Sequence, residues 1–221
     1  MQYAFTLMEL IFVLVVIGIL TVYIVPQTRQ NNLELAARQL IGDLRYTQQL
    51  SMRGDTYNKD NVWYQDRWRV KFYKGSRADN ELSYTICNEE DSRTNIKVDS
   101  IAKNPQNHNQ LMTGGHTSSD TEKNKIDIRK KEFIGMKRLN IGKTYNIKKY
   151  KLSGGCRYSR ISFDYLGRPL QNDPNKLTHP YKKNDDFVLI SSPCNIKLTS
   201  KNNKSITIVI EPETGYMKIE Y

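Results

Sequence analysis

The sequence predicts an α+β protein in which one long N-terminal helix, apolar in its first half and amphipathic in its second, packs on an antiparallel β-sheet. Three observations carry this expectation. Residues 5–25 form an apolar run whose only ionisable side chain is Glu9. From there to Gly54 the apolar residues keep helical spacing. Beyond Gly54 they recur at every second position, between clusters of turn residues.

The run reads "AFTLMELIFVLVVIGILTVYIVPQ" from residue 4 to residue 27. As a helix rising 1.5 Å per residue, residues 5–25 reach across a hydrocarbon core of about 30 Å. A cleavable secretory signal fits less well, because "MQYA" has no Lys or Arg, the apolar stretch is long, and no small-x-small site follows it. An ordinary signal anchor remains open. Arg29, Arg38 and Arg45 follow the run and weakly favour the opposite topology on positive-inside grounds. A charge inside a membrane helix costs at least about 2.5 kcal/mol, so Glu9 needs a partner. "TLME" offers a capping box, with Thr6 capping the helix, Glu9 reaching back to the Thr6 backbone, and Phe5 and Leu10 as a hydrophobic staple. The alternative is a pair between Glu9 and a positive charge on a neighbouring copy of the helix.

Pro26 removes a backbone donor and clashes with the preceding turn, which predicts a kink or a locally melted segment there. The spacing of Leu33, Ala37, Leu40, Ile41 and Leu44 then predicts a helix with one buried stripe, stopping near Gly54. "DRWRVKFYKG" sets Trp68, Val70 and Phe72 against Arg69, Lys71 and Tyr73, and "ELSYTIC" sets Leu82, Tyr84 and Ile86 against Ser83 and Thr85. Both read as half-buried strands, with a turn from Gly75. Residues 88–125, rich in Asn, Asp, Ser, Thr and Lys, read as a long loop or partly disordered insertion. "RISFDYLG", "DFVLIS", "CNIKLTS" and "SITIVI" predict consecutive strands of one antiparallel sheet that covers the stripe, with turn chemistry at "KNNK" (201–204) and "EPETG" (211–215).

The apolar run also carries a family resemblance. "AFTLMELIFVLVVIGIL" resembles the N-terminal signal of type IV prepilins and pseudopilins. The amphipathic helix followed by strands, with "ISFDYLGRPL", "CNIKLTS" and "SITIVIEPETGYMKIE", is similar to the H-type minor pseudopilins and FimT-type minor pilins. The resemblance implies a pilin-like fold: a leader at residues 1–4, a transmembrane helix at 5–25, its amphipathic continuation at 26–54, and an extracytoplasmic β-rich domain at 55–221. It implies cleavage by prepilin peptidase between Ala4 and Phe5, methylation of the Phe5 amine, and a Glu9 carboxylate meeting the Phe5 ammonium of an adjacent subunit. Its implied partners are other pilin or pseudopilin subunits, prepilin peptidase, an inner-membrane assembly platform and membrane lipid. The implied place is the bacterial inner membrane, single-pass, with the C-terminal domain in the periplasm or in an extracytoplasmic pilus. Ala4 replaces the usual Gly and the leader lacks its customary basic residue, which predicts slower processing. The match is strong over the first fifty or so residues, moderate over the last sixty and poor between.

The chain has a net charge of +11, with 34 Lys and Arg against 23 Asp and Glu. That balance favours acidic partners such as nucleic acid, anionic lipid or an acidic protein face. The surplus concentrates at residues 129–160, which hold eleven basic residues and one acid. This segment is either a binding surface or a solvated face with hairpin loops. Some FimT-type proteins are DNA receptors, and Lys148, Lys149, Lys151, Arg157 and Arg160 are the candidate phosphate contacts if this chain binds DNA. Lys218 alone among basic residues follows the last Gly turn, which weakens that reading. Trp63, Trp68 and the tyrosines interleave with Lys and Arg, but their alternation points to strand packing rather than to stacking on bases.

Cys87, Cys156 and Cys194 lack metal-ligand spacing, and an odd count permits one bridge and one free thiol. In an extracytoplasmic domain Cys156 would pair with Cys194, both lying in the strand-rich C-terminal half. His108, His116 and His179 are too scattered for a ligand set. Asp173, Asp185 and Asp186 miss the EF-hand pattern and read as solvated loop acids. "GGH" and "SGG" lack the Lys and following helix of a phosphate loop. No catalytic activity, metal or cofactor is predicted. Three functions stay open: a minor filament subunit of type II secretion or a type IV pilus, a DNA-binding minor pilin in DNA uptake, and a signal-anchored surface protein.

Overall fold

A computed structural model describes residues 7–54, 63–88, 95–156, 158–171 and 189–220; the side chains of residues 21–31 and of Trp63 also fall outside the description. One helix, α1 (Leu7–Arg53), runs 47 residues, about 70 Å at the helical rise. It continues unbroken across Pro26, so the local melting expected there does not occur. One missing N–H and a clash with the preceding turn are absorbed within a helix of this length. The helix ends where Gly54 N–H donates to the Leu50 carbonyl at 3.0 Å. In its C-terminal half Ala36, Ala37, Leu40, Ile41 and Leu44 are buried, and Thr47 and Ser51 extend the stripe. These positions recur three and four residues apart, so they share one face.

The stripe lies against two sheets. Strands β1 (Arg69–Lys74) and β2 (Leu82–Cys87) pair as a hairpin with Phe72 opposite Tyr84. A short β3 (Lys103–Asn104) pairs with β4 (Asn107–Leu111) as a separate ribbon. After a one-turn helix α2 (Ile141–Tyr145) come β5 (Ile147–Gly154), β6 (Arg160–Phe163) and β7 (Pro169–Leu170). The chain closes with β8 (Cys194–Ser200), β9 (Ser205–Ile210) and β10 (Met217–Glu220). The sheet orders are β2-β1-β6-β7 and β10-β9-β8-β5, antiparallel throughout. Val70, Phe72, Tyr84, Ile161 and Phe163 of the first sheet and Ile196, Leu198, Ile206, Ile208 and Ile210 of the second share one core with the helix stripe.

Four sequence expectations are corrected. The C-terminal strands do not form one sheet: β6 lies apart from β5, β8 and β9 and pairs with β1, Val70 opposite Ile161, because both side chains then enter the same core. "DFVLIS" contributes only a bridge from Leu189 to Leu170 among the described residues; residues 186–188 lie outside them. The expected loop at 88–125 is structured over residues 95–125, where Ile96, Val98, Ile101 and Leu111 join Cys87 and Ile126 in a second small core. Residues 89–94 lie outside the description. Finally, β1 is buried on both faces over Arg69–Phe72 rather than half-buried. Residues 113–118 cover the far side of the β1–β2 hairpin: on β2, Thr85 Oγ1 bonds Thr113 Oγ1 at 2.7 Å and Ser83 Oγ donates to the Gly115 carbonyl at 2.8 Å, and on β1 the Tyr73 hydroxyl accepts from Thr117 Oγ1 at 2.8 Å.

Leu40 is fully buried in the stripe, whereas Leu35, on the same helix, is 44% exposed. Leu40→Ala is expected to lower unfolding free energy by about 2–5 kcal/mol, and Leu35→Ala by no more than about 0.5 kcal/mol. Urea unfolding of the full chain in detergent checks the contrast, and equal effects would place the core elsewhere.

Candidate functional site

The first candidate is the N-terminal end of α1. From Leu7 to Leu20 every side chain is exposed, including Met8 at 76% and Phe12 at 72%. A continuous apolar surface of this kind calls for a cover of lipid or protein. Among the described residues no helix is long and apolar enough to cross a membrane. The run predicted to do so extends past the described side chains at both ends, since residues 1–6 and the side chains of 21–31 fall outside. Ala4 and Phe5, expected at the cleavage site, and Thr6, expected to cap the helix, therefore lie outside the described residues. So does the side chain of Pro26. Glu9 sits in the first turn of α1.

The second candidate is the basic segment. The structure disperses much of its charge into the fold. Arg129 chelates Asp127 through Nε at 2.9 Å and Nη2 at 2.7 Å, and Lys143 pairs with Asp79 at 2.7 Å. These partners hold both carboxyls below the usual carboxylate range. Arg160 is buried in β6, which corrects its assignment as a surface phosphate contact: it stands opposite Lys71 in a ladder whose residues are withdrawn from solvent. Arg157 lies outside the described residues. Lys148, Lys149 and Lys151 are exposed on β5, an edge strand. A bulge between Ile147 and Lys149 makes Lys148 the extra residue. Across the ladder Lys151 faces Lys197 of β8, a cation outside the basic segment. Like charges directly opposed destabilise a sheet, so this pair adds a local positive potential at some cost in stability. Sequence alone could not find it, because the two lysines are separated by a long connection and joined only by register.

The aromatics belong mostly to the core. Tyr150 stacks on Phe72 with centroids 4.4 Å apart, and Tyr84 is fully buried. Among the described residues no group of three or more His, Cys, Asp or Glu side chains is placed to hold a metal ion. Asp173, His179, Asp185 and Asp186 lie outside those residues. Cys156 and Cys194 are joined by a disulfide with Cα atoms 5.0 Å apart, which locks the end of β5 to the start of β8; Cys87 is a buried free thiol.

How α1 is fixed on the domain was not legible in the sequence. Asp43 is buried on the stripe and accepts from the Tyr84 hydroxyl at 2.5 Å, Gln39 Nε2 at 2.7 Å and Arg138 Nη1 at 3.2 Å. Burial raises the Asp43 carboxyl above its ordinary value, and Arg138, Tyr84 and Gln39 offset this only in part. Farther along, Gln48 Nε2 donates to the carbonyls of Gly167 at 2.7 Å and Thr214 at 3.3 Å, tying two turns to the helix. Gly167 and Gly215 both have positive φ there, and an added Cβ on Gly215 would lie 2.5 Å from Gln48 Nε2. Compared with protein-family profiles, curated proteins and solved structures, the chain matches none.

Because the native Asp43 carboxyl binds its proton more tightly than the unfolded chain does, its contribution is greatest below the ordinary value of 3.8 and is lost as pH rises through the raised one. Wild type should therefore gain stability relative to Asp43→Asn as pH falls from 7 toward 4. Asp43→Ala, which strips the buried Tyr84 hydroxyl of its acceptor, should cost about 1–3 kcal/mol more than Asp43→Asn. Urea unfolding at several pH values reads both, and a flat or reversed difference would contradict the assignment.

Proposed function

We propose that the chain is a minor pilin or pseudopilin subunit: inserted in the bacterial inner membrane by residues 5–25, processed by prepilin peptidase between Ala4 and Phe5, and built into the start or cap of a pilus-like filament in type II secretion or type IV pilus assembly. In this reading it is a structural subunit, not an enzyme. The observation that carries it is the division of α1. One continuous helix exposes apolar side chains along residues 7–20 and buries a stripe from Ala36 to Ser51 against antiparallel strands. A helix that only anchored the domain would not need to be continuous with its core. As an assembly element it can leave the bilayer and exchange lipid for neighbouring helices with its own domain already seated. The disulfide supports an extracytoplasmic domain, since such bridges persist in oxidising compartments.

Within this mechanism Glu9 is the register device. A carboxylate in apolar surroundings is costly unless paired. The Phe5 ammonium freed by cleavage on the next subunit supplies the charge, so only one axial offset between helices satisfies both groups. The apolar residues then pack without register preference of their own. The partners implied are other filament subunits, prepilin peptidase, the assembly platform and membrane lipid.

A second reading, DNA binding during uptake, has one observation in its favour: Lys149, Lys151 and Lys197 lie on one face of β5 and β8, beside Lys148. Such a patch would contact phosphates without reading sequence.

Each reading has its own tests. Sequencing the mature N-terminus should give Phe5, and Glu9→Gln should abolish assembly while insertion and cleavage continue. A mature protein that begins at Met1 in cells with active prepilin peptidase, or normal assembly of the variant, defeats the first reading. For the second, duplex DNA titrated against the full chain should bind more weakly as salt rises. Replacing Lys149, Lys151 and Lys197 by Gln should reduce the magnitude of the log–log salt slope by about 0.9 for each phosphate no longer neutralised. No binding at low salt removes the second reading and leaves the first untouched.

A further inference from the structure

β5 closes one side of the sheet β10-β9-β8-β5. Past the bulge its register with β8 runs without a break from Lys149 to Gly154, about 20 Å of extended chain. Among the described residues no backbone hydrogen bond reaches Ile147–Gly154 from any strand except β8. The N–H and C=O of every second residue therefore point outward along this edge. Both ends of the strand are fixed. The Cys156–Cys194 disulfide ties one end to β8, and at the other the Asn146 carbonyl accepts from Lys201 N–H at 2.8 Å. An edge held at both ends has little freedom to lose when it pairs.

The side chains of the edge divide by face. Lys149 and Lys151 stand on the outer face with Lys197 of β8 opposite Lys151, beside Lys148 of the bulge, and all four are exposed. Among the described residues none of the four has a carboxylate partner, whereas Lys143, Lys201 and Lys218 are paired with Asp79, Glu81 and Glu211. On the inner face Tyr150 and Leu152 are half-buried at the rim of the core. Lysines on an edge strand guard against chance pairing. That role accounts for Lys148 and its bulge. It does not account for Lys197, which lies on an interior strand with no edge to guard, yet opposes Lys151 at a cost in stability.

An open backbone edge, cations on one face and an apolar rim on the other together select one kind of partner. We propose that β5 binds an extended acidic segment of another protein as an added strand, continuing the sheet beyond β5. The N–H and C=O groups of the segment meet those that β5 turns outward. Because side chains alternate along a strand, acidic residues at every second position come beside Lys149 and Lys151, and apolar residues between them extend the rim at Tyr150 and Leu152. Lys197, one strand further in, raises the potential that draws the segment. Phosphates can only accept, so a nucleic acid would meet the lysines but leave the outward carbonyls of β5 facing further acceptors. The proposal gives the lysines of the DNA reading a different partner and does not depend on the filament reading.

Fluorescence anisotropy tests the proposal with the full chain in non-ionic detergent and a labelled peptide of alternating Glu and Val, about ten residues long to span the edge. The peptide should bind saturably, and its counterpart of alternating Gln and Val at least about tenfold more weakly. Replacing Lys149 and Lys151 together by Gln should weaken binding about tenfold, and Lys197→Gln alone about twofold. Two further peptides, N-methylated at every second amide along one edge or along the other, lose donors and keep every carboxylate. At least one of them should bind about tenfold more weakly than the parent. No binding, equal binding by the parent and both methylated peptides, or binding unchanged when Lys149 and Lys151 are replaced overturns the proposal. Duplex DNA that binds where the peptide does not assigns the lysines to nucleic acid and overturns it as well.

Discussion

Ala36, Ala37, Leu40 and Leu44 form the line along which one helix meets two four-stranded sheets, and the rest of the architecture depends on that contact. The two sheets have no shared ladder among the described residues, so side-chain packing, not backbone hydrogen bonding, joins them. Two alanines at the top of the stripe let β-strand side chains approach the helix axis closely. Leu40 and Leu44 then fill the space between Ile161 and Phe163 on one side and the isoleucines of β9 on the other. Asp43 interrupts this apolar line with a polar fixture. Its bonds to Tyr84 and Arg138 specify rotation and depth, which apolar contacts alone leave loosely defined.

Much of this was legible in the sequence because it rests on periodicity. The helical spacing of Leu33 through Leu44 marks the stripe, and the alternation of Val70, Phe72, Tyr84 and Ile86 marks two core-facing strands. The turns at 201–204 and 211–215 follow from their composition, and Asn203 and Gly215 do adopt positive φ. Strand partners were not legible. The alternation in "RISF" says which side chains point inward and nothing about whether β1 or β8 lies alongside. Long-range pairing is decided by which core has room, and that is a property of the assembled chain.

Residues 95–125 escape a sequence reading for a different cause. Ile96, Val98, Ile101 and Leu111 are spaced irregularly because they lie on turns and short ribbons, and no period-based reading detects them. Once folded, this region leads into residues 113–118, which form a lid over the far side of the β1–β2 hairpin. That lid also reverses the meaning of the polar residues on β1. Arg69 and Lys71 look like solvent-facing positions in the sequence, yet both are buried in the folded chain. Lysine pairs such as Lys151 and Lys197 escape notice for the related reason that register, not sequence distance, makes them neighbours.

The same covering segment separates two roles within one sheet. Val70 and Phe72 join the core on the helix side of β1, while Lys71 and Tyr73 project from the other face, where Tyr73 packs on His116. Because side chains alternate with a period of two, a change on one face of β1 need not displace a side chain on the other. The backbones of β1 and β6 are what the two faces have in common. Any influence of the 113–118 segment on the helix must travel through those strands, because the side chains that meet the segment and those that seat the helix project from opposite sides of the sheet.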